Sequence, residues 1–275
     1  MSISFVSCIF GERYVPFLIT NVYSVFQHHP DAEYRVYYTD VQDDVMQRLQ
    51  ATYPRLVPVR RDIELKSLHN KSKLNNKICF WRMGHDEAKY NQIAFIDVDT
   101  LLVRPLDVFS RQFDLAFTRN DSKERPAKVP LNTGVVFCQK RRPGTFSSSD
   151  FFLRWEIVVQ DFMENSKKYT EAYKIYGSGD QLAIALLLGH PIDMEGSKRY
   201  GSCEVLWLKG SEYNNDCSVR LEPSIRILHY KSKWHSILLD GRDLDDVETR
   251  REFGEIKKFY DGLAVAARLR DVNVA

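Results

Sequence analysis

Between Ile3 and Asp99 short apolar runs alternate with longer amphipathic ones, and few architectures accept that alternation. Ile3 to Phe10 reads as a strand that is apolar almost throughout, as expected where both faces of a sheet are covered. Pro16 can open a helix at its first turn, and Leu18, Val22, Val25 and Phe26 give that helix an apolar face. Tyr34 to Tyr38 reads as a second strand ending at Thr39-Asp40, with Asp40 the expected cap of a helix around Val45 to Leu49. Leu56 to Val59 is a short third strand. Lys73 to Ala88 is helical in pattern, with Leu74, Ile78 and Trp81 inward, and Ile93 to Ile96 is a fourth strand. Strand, helix, strand, helix predicts an α/β fold with a mainly parallel central sheet and helices on both faces.

Ligands of such sheets bind beyond the carboxyl ends of the strands. The fourth strand reaches that edge carrying Asp97 and Asp99. Their i, i+2 spacing puts both carboxylates on one side of an extended backbone, with Val98 turned away. Two converging carboxylates repel unless a positive charge sits between them. Mg²⁺ or Mn²⁺ supplies it and prefers carboxylate and phosphate oxygens. The same ion can hold a pyrophosphate and neutralise it as it leaves. The plainer reading of Asp-x-Asp is a turn whose Asp caps the next helix. Phe10-Gly11 closes the first strand at the same edge, so it is expected close to the two acids despite the distance in sequence.

The second half is less regular. Phe113 to Thr118 and Val135 to Cys138 read as strands. Asp150 to Glu164 is a helix with Phe152, Trp155 and Val159 inward, and Asp180 to Leu188 is a short apolar helix. Val205 to Leu208 and Ile225 to Leu228 read as further strands. Arg119 to Pro130 is polar, holds Pro126 and Pro130, and reads as a mobile loop over the site. Asp245 to Arg270 forms a long charged helix with Val247, Ile256, Phe259 and Leu263 on one side.

A chain of 275 residues fits one large domain, here 1–240, with 241–275 as a helical extension packed on it. Within it a first half is expected over about 1–105, carrying the two acids, and a second over about 106–240. The net charge of +2 carries no nucleic-acid footprint. Cys8, Cys79, Cys138, Cys203 and Cys217 are odd in number and form no Cys-x-x-Cys pair, which predicts reduced thiols and a cytoplasmic location. Met1 to Phe10 lacks a basic start and a cleavage site, so it reads as a buried strand and not a signal peptide. No run reaches the roughly 18 apolar residues that span a bilayer. Acidic residues interspersed among Arg250, Arg251, Lys257, Lys258, Arg268 and Arg270 allow at most peripheral membrane contact.

Four motifs in order carry a family resemblance: Phe95-Ile-Asp-Val-Asp-Thr-Leu-Leu-Val103, Leu131-Asn-Thr-Gly-Val-Val-Phe137, Gly179-Asp-Gln-Leu182, and His229-Tyr230 with Lys233-Trp234. Over roughly Ile3 to Trp234 the chain resembles glycosyltransferases of the GT-A (nucleotide-diphospho-sugar transferase) fold, closest to the retaining, glycogenin-like type of family eight. The resemblance implies that Asp97, Asp99 and His229 bind Mn²⁺ or Mg²⁺. It places Asn132 and Gly134 on the donor sugar and Asp180 and Gln181 around the reacting carbon. It implies a stacking role for Tyr14 beside Phe10 and Gly11, a donor contact at Val98, and a leaving-diphosphate contact at Lys233, with Lys231 the alternative. Lys77 and Arg82, on one helix, are candidates for touching phosphate, whereas Lys73 reads as part of a solvated face.

The family's acid after strand one, which recognises uracil, falls at Gly11 here, with Glu12 adjacent. The late motif is also shorter than the family's. The implied donor is a nucleotide-diphosphate sugar, expected to be a UDP-sugar. The acceptor is a glycan, a lipid-linked sugar or a protein, and no nucleic acid is expected. Two other readings compete. A haloacid-dehalogenase-type phosphatase also uses strand-Asp-x-Asp, but Leu101 occupies its expected Thr position. A catalytically inactive, sugar-nucleotide-binding version of the same fold would keep the motifs without turnover.

Overall fold

The computed structural model describes residues 2–61, 70–121, 130–140, 147–177, 179–189, 192–215, 221–230 and 261–262; for 70–75 it describes the backbone alone. Ten strands and seven helices fall within them. The first half runs β1 (Ser4–Phe10), α1 (Val15–His28), β2 (Glu33–Thr39), α2 (Asp43–Thr52), β3 (Leu56–Arg60), α3 (Asn70–Glu87) and β4 (Gln92–Ile96). Then come β5 (Thr100–Leu102), β6 (Leu115–Arg119), β7 (Leu131–Gln139), α4 (Ser148–Glu164), α5 (Thr170–Tyr176), α6 (Gly179–Leu188), β8 (Ser197–Tyr200), β9 (Cys203–Lys209), α7 (Gly210–Tyr213) and β10 (Ile227–His229).

Eight strands form one sheet in the order β3-β2-β1-β4-β7-β6-β9-β8, and β10 pairs with β5 beside it. The sheet is mixed. β1 pairs in parallel with β2 and β4, β2 with β3, and β6 with β9. β7 runs against both β4 and β6, and β8 against β9. The parallel expectation therefore holds for the first four strands, and β7 reverses direction at the centre.

Alternation along the strands separates two cores. Ala94 and Ile96 of β4 join Phe5, Ile9, Leu18, Val22, Val36 and Met46 on one face, under α1 and α2. Ile93 and Phe95 join Val6, Ile78, Trp81, Phe152, Trp155 and Ile184 on the other, under α3, α4 and α6. A strand buried on both faces must be apolar at nearly every position, which is why β1 and β4 show no polar alternation. Gly84 keeps α3 close to β1: a Cβ there would lie 2.4 Å from Val6 Cγ1.

Several local expectations change. α2 starts at Asp43 with Gln42 as its cap and no side-chain cap bond, so Asp40 does not cap it. Asp40 instead holds φ 54°, a left-handed turn just past β2. Ser147 caps α4, accepting from Asp150 N at 3.2 Å. Asn132-Thr133-Gly134 does not precede a strand but lies inside β7, at a register shift opposite Phe117/Thr118. The expected helix Asp245 to Arg270 lies outside the described residues except for 261–262, and most of the polar loop after Arg119 does too. No described helix is long and apolar enough to cross a membrane.

Candidate functional site

β1 and β4 lie side by side, and their carboxyl ends bring Phe10-Gly11 and Asp97 to one edge of the sheet, as their positions predicted. Asp97 and Asp99 form the turn between β4 and β5. That turn is cross-braced. Thr100 Oγ1 donates to Asp97 O at 2.7 Å, and Asn21 Nδ2, from α1, donates to Thr100 O at 2.7 Å. Tyr34 OH donates to Asn21 Oδ1 at 2.6 Å, tying the brace to β2. Val98 is buried in the α1 face of the core, turned away from the acids.

β10 pairs antiparallel with β5, placing His229 opposite Thr100. One oxygen from each of Asp97 and Asp99 and a ring nitrogen of His229 lie within 4.8 Å of one another. His229 Nε2 is 3.2 Å from Asp99 Oδ1 and 3.8 Å from Asp97 Oδ2. Two carboxylates and an imidazole form a mixed oxygen and nitrogen set of the kind that holds a divalent cation. The set fits a divalent ion on its own chemistry. Burial and the neighbouring Asp99 charge push the Asp97 carboxyl above its usual range, against the pull of Lys77 and His229. A cation there would relieve that strain.

Gly134 N donates to Asn132 Oδ1 at 3.1 Å, and Gly134 O accepts from Asp97 N at 2.9 Å. A Cβ at Gly134 would stand 2.1 Å from His229 Cε1 and 3.2 Å from Asp97 Oδ2. Glycine here is a matter of room: the β7 backbone passes hard against both the histidine and the acid. Asn132 is buried, and its Nδ2 has no partner among the described residues, an orphaned donor beside the acids.

Lys77 of α3 links the acids to the opposite wall. Its Nζ lies 2.7 Å from Asp97 Oδ1 and 3.8 Å from Asp180 Oδ2, and donates to Thr133 O at 3.2 Å. Burial opposes its charge, but Asp97 and Asp180 outweigh that and hold its pKa above the ordinary value. Asp180 Oδ2 accepts from Thr133 Oγ1 at 2.6 Å, and Asp180 Oδ1 from Gln181 N at 2.9 Å. Asp180 sits in the first turn of α6 and spends its carboxylate on Lys77 and Thr133, so it is more than a helix cap. Trp155 Nε1 donates to Asp180 O at 2.9 Å, anchoring the start of α6 to α4. Gln181 is half-buried next to it.

The other expected residues stand further out. Phe10 stacks on Phe80 and Tyr14 is half-buried against the α1 core. Gly11 has φ 94° and ψ 153°, a region open essentially to glycine alone, so a side chain there would be strained. The exposed carboxylates of Glu12 and Asp40 flank that turn, and Gly11 N donates to Thr39 O at 3.0 Å. Arg82 pairs with Glu156 of α4 at 2.8 Å, and contact with a phosphate would require that pair to open. Lys231, Lys233 and Trp234 lie outside the described residues. A surface cleft of about 690 Å³, lined by Ser147, Asp150, Arg154, Leu187, Tyr200 and Cys203, opens at the start of β9 and holds none of the acidic triad.

Three contributors were not legible in the sequence: Asn21, Thr118, whose Oγ1 accepts from Asn214 Nδ2 at 2.7 Å, and Asn214, whose Oδ1 lies 2.7 Å from His229 Nδ1. They are ordinary polar residues, Asn21 within α1, Thr118 near the end of β6 and Asn214 just past α7, and only the tertiary contacts single them out.

The fold is that of GT-A glycosyltransferases, in a mixed-sheet form. The chain superposes on the glycosyltransferase GlyE of Streptococcus pneumoniae TIGR4 with a TM-score of 0.52 at 15% identity, over 84% of this chain and 54% of that one. A second GlyE structure gives a TM-score of 0.52 at 14% identity, over 94% and 64%. An active-site variant of LgtC gives 0.53 at 14% identity, over 97% and 96%. The chain thus spans between half and two-thirds of the GlyE chains but nearly the whole of LgtC. No protein-family model and no curated protein matches the sequence.

Proposed function

We propose that the chain is a metal-dependent glycosyltransferase that moves a hexose from a nucleotide-diphosphate sugar, a UDP-sugar, to an acceptor with retention of configuration, in the manner of family eight. The observation that carries this reading is the convergence of Asp97, Asp99 and His229 at the carboxyl edge of the sheet. When bound there, Mn²⁺ or Mg²⁺ supplies positive charge to a departing diphosphate. Asp97, Asp99 and His229 hold that charge in place. Phe10, Gly11, Tyr14 and the backbone of Val98 line the nucleoside side, with Glu12 and Asp40 the acids within reach of a base or ribose. Lys233 is assigned to the diphosphate. Lys77 and Arg82 complete the donor set, Arg82 after leaving Glu156.

Asn132 and Gly134 face the donor sugar, and the orphaned Nδ2 of Asn132 gains a hydroxyl acceptor when the sugar binds. Asp180 receives sugar hydroxyls on the side opposite its Thr133 bond. Gln181 stands at the reacting carbon. A neutral amide is a poor nucleophile, so its role is to steady an oxocarbenium-like species while the acceptor attacks from the leaving-group side. The LgtC neighbour is an active-site glutamine-to-glutamate variant, which fits a glutamine at that place. The acceptor is a glycan, a lipid-linked sugar or a protein. The free thiols Cys8, Cys79, Cys138 and Cys203 suit a cytoplasmic location.

A thermal-shift panel of nucleotide sugars with and without Mn²⁺ tests the reading. The expected result is stabilisation by a UDP-sugar only when Mn²⁺ is present, and loss of that stabilisation in Asp99→Asn with the basal melting temperature little changed. No Mn²⁺-dependent shift with any nucleotide sugar would sink it. Metal-dependent hydrolysis of the stabilising donor then separates an active transferase from an inactive binder.

A further inference from the structure

The buried polar chain behind His229 has a direction that its hydrogen-bonding chemistry dictates. Asn132 O is a carbonyl and can only accept. Thr118 Oγ1, 2.8 Å away, therefore donates its single proton to it. With its proton spent, that hydroxyl can only accept from Asn214, 2.7 Å away, so Asn214 must present its Nδ2 to Thr118. The other end of the amide, Oδ1, then faces His229 Nδ1 at 2.7 Å. An amide oxygen accepts, so Nδ1 carries the proton. In the neutral ring this leaves the Nε2 lone pair turned toward Asp97 and Asp99.

Asn214 is well placed to enforce this. It is buried and caps α7, with its N donating to Gly210 O at 2.9 Å. The next residue, Asn215, is clasped to β10. Asn215 N donates to Ile227 O at 3.0 Å, and His229 N donates to Asn215 O at 2.8 Å. Histidine and asparagine are thus locked to one another by backbone as well as side chain. Thr118 lies opposite the β7 irregularity that carries Asn132-Thr133-Gly134. The same chain therefore ties the histidine to the donor-sugar motif.

We propose that Asn214, oriented by Thr118, is the positioning residue that fixes the tautomer and ring angle of His229 so that Nε2 is offered as a metal ligand. This rests on the metal reading above. A histidine of the opposite tautomer would present an N–H to the ion and could not ligate it.

The test begins with the unsubstituted, metal-free chain. Long-range ¹⁵N–¹H correlation, assigned by loss of the signal in His229→Gln, should show Nδ1 protonated. A ring protonated at Nε2 with Nδ1 bare would overturn the proposal. Mn²⁺ binding without nucleotide, followed by electron paramagnetic resonance, supplies the second readout. Asn214→Leu should weaken it about 10- to 100-fold, as loss of a histidine's supporting partner does. Asn214→Asp, which keeps an acceptor toward Nδ1, should retain it. Thr118→Val, which frees the amide to turn, should fall between and serves if Asn214→Leu does not fold. Wild-type affinity in both Asn214→Leu and Thr118→Val would overturn this proposal alone. Absence of Mn²⁺ binding in the unsubstituted chain would remove the metal reading itself.

Discussion

The half of the sheet from β3 to β4 and the half from β7 to β8 contribute to one site in different ways. The first half is parallel, and its regular connections deliver Asp97 and Asp99 at the end of a strand buried on both faces. The second half is interrupted by the reversed β7, and its residues reach the site from a strand's start, a helix's first turn and a short outlying strand. The acids come from the regular half. The groups that space, pair and orient them, Gly134, Asp180, Asn214 and His229, come from the irregular half. Charge is placed by the repeating scaffold, and its precise surroundings by the departures from it.

Lys77 is the sharpest place to break that division, because it joins the two halves. Lys77→Met strands Asp97 and Asp180 without their shared cation. Removing one partner of a buried pair costs about 3 kcal/mol or more. Chemical denaturation without metal should show that loss, and Mn²⁺ should recover part of it by neutralising Asp97. A loss under about 1 kcal/mol would mean that the halves are held by packing alone.

Gly134→Ala probes the irregular half. The added methyl would collide with the His229 ring, so stability should fall by about 1 to 3 kcal/mol. Mn²⁺ affinity should fall as the ring moves. Unchanged affinity would show that β7 does not set the position of the histidine.

The smallest effect lies in the regular half, far from the acids. His29 Nε2 accepts from Leu106 N at 3.0 Å, a bond available only to the neutral ring. Burial, with help from His28 and the amino terminus, lowers its pKa to about 4. The unfolded chain therefore binds the extra proton first as pH drops from about 6.5. Stability is full above 6.5 and declines between 6.5 and about 4. The ring is partly exposed, so the loss should be on the order of 1 kcal/mol. His29→Gln should flatten that stretch of the pH profile. An unaltered profile would assign the acid sensitivity elsewhere.

The same contrast explains what could be read in advance. β1 through β4 follow from burial on both faces, which writes itself into the sequence as apolar runs, so Asp97 and Asp99 could be placed at a strand end. β5 and β8 carry no such run: β5 is three residues long and β8 is the polar Ser-Lys-Arg-Tyr. β7 reads as a strand only from Val135 onward, because Asn132, Thr133 and Gly134 interrupt its apolar run after Leu131. Asp40 looked like a helix cap by type and spacing, but its left-handed turn removes it from the helix. Asn214 and Thr118 gave no local signal. Their task is defined by what hydrogen-bonds to what across 96 residues of sequence.

Because β7 runs backwards, β6 leaves the sheet and β7 re-enters it at the same rim as Asp97. Asn120 N donates to Pro130 O at 2.8 Å, clasping the two crossing points. A span whose ends are already pinned together changes length at small entropic cost. Insertion or deletion between those two residues can thus leave both hydrophobic cores and the acidic triad undisturbed.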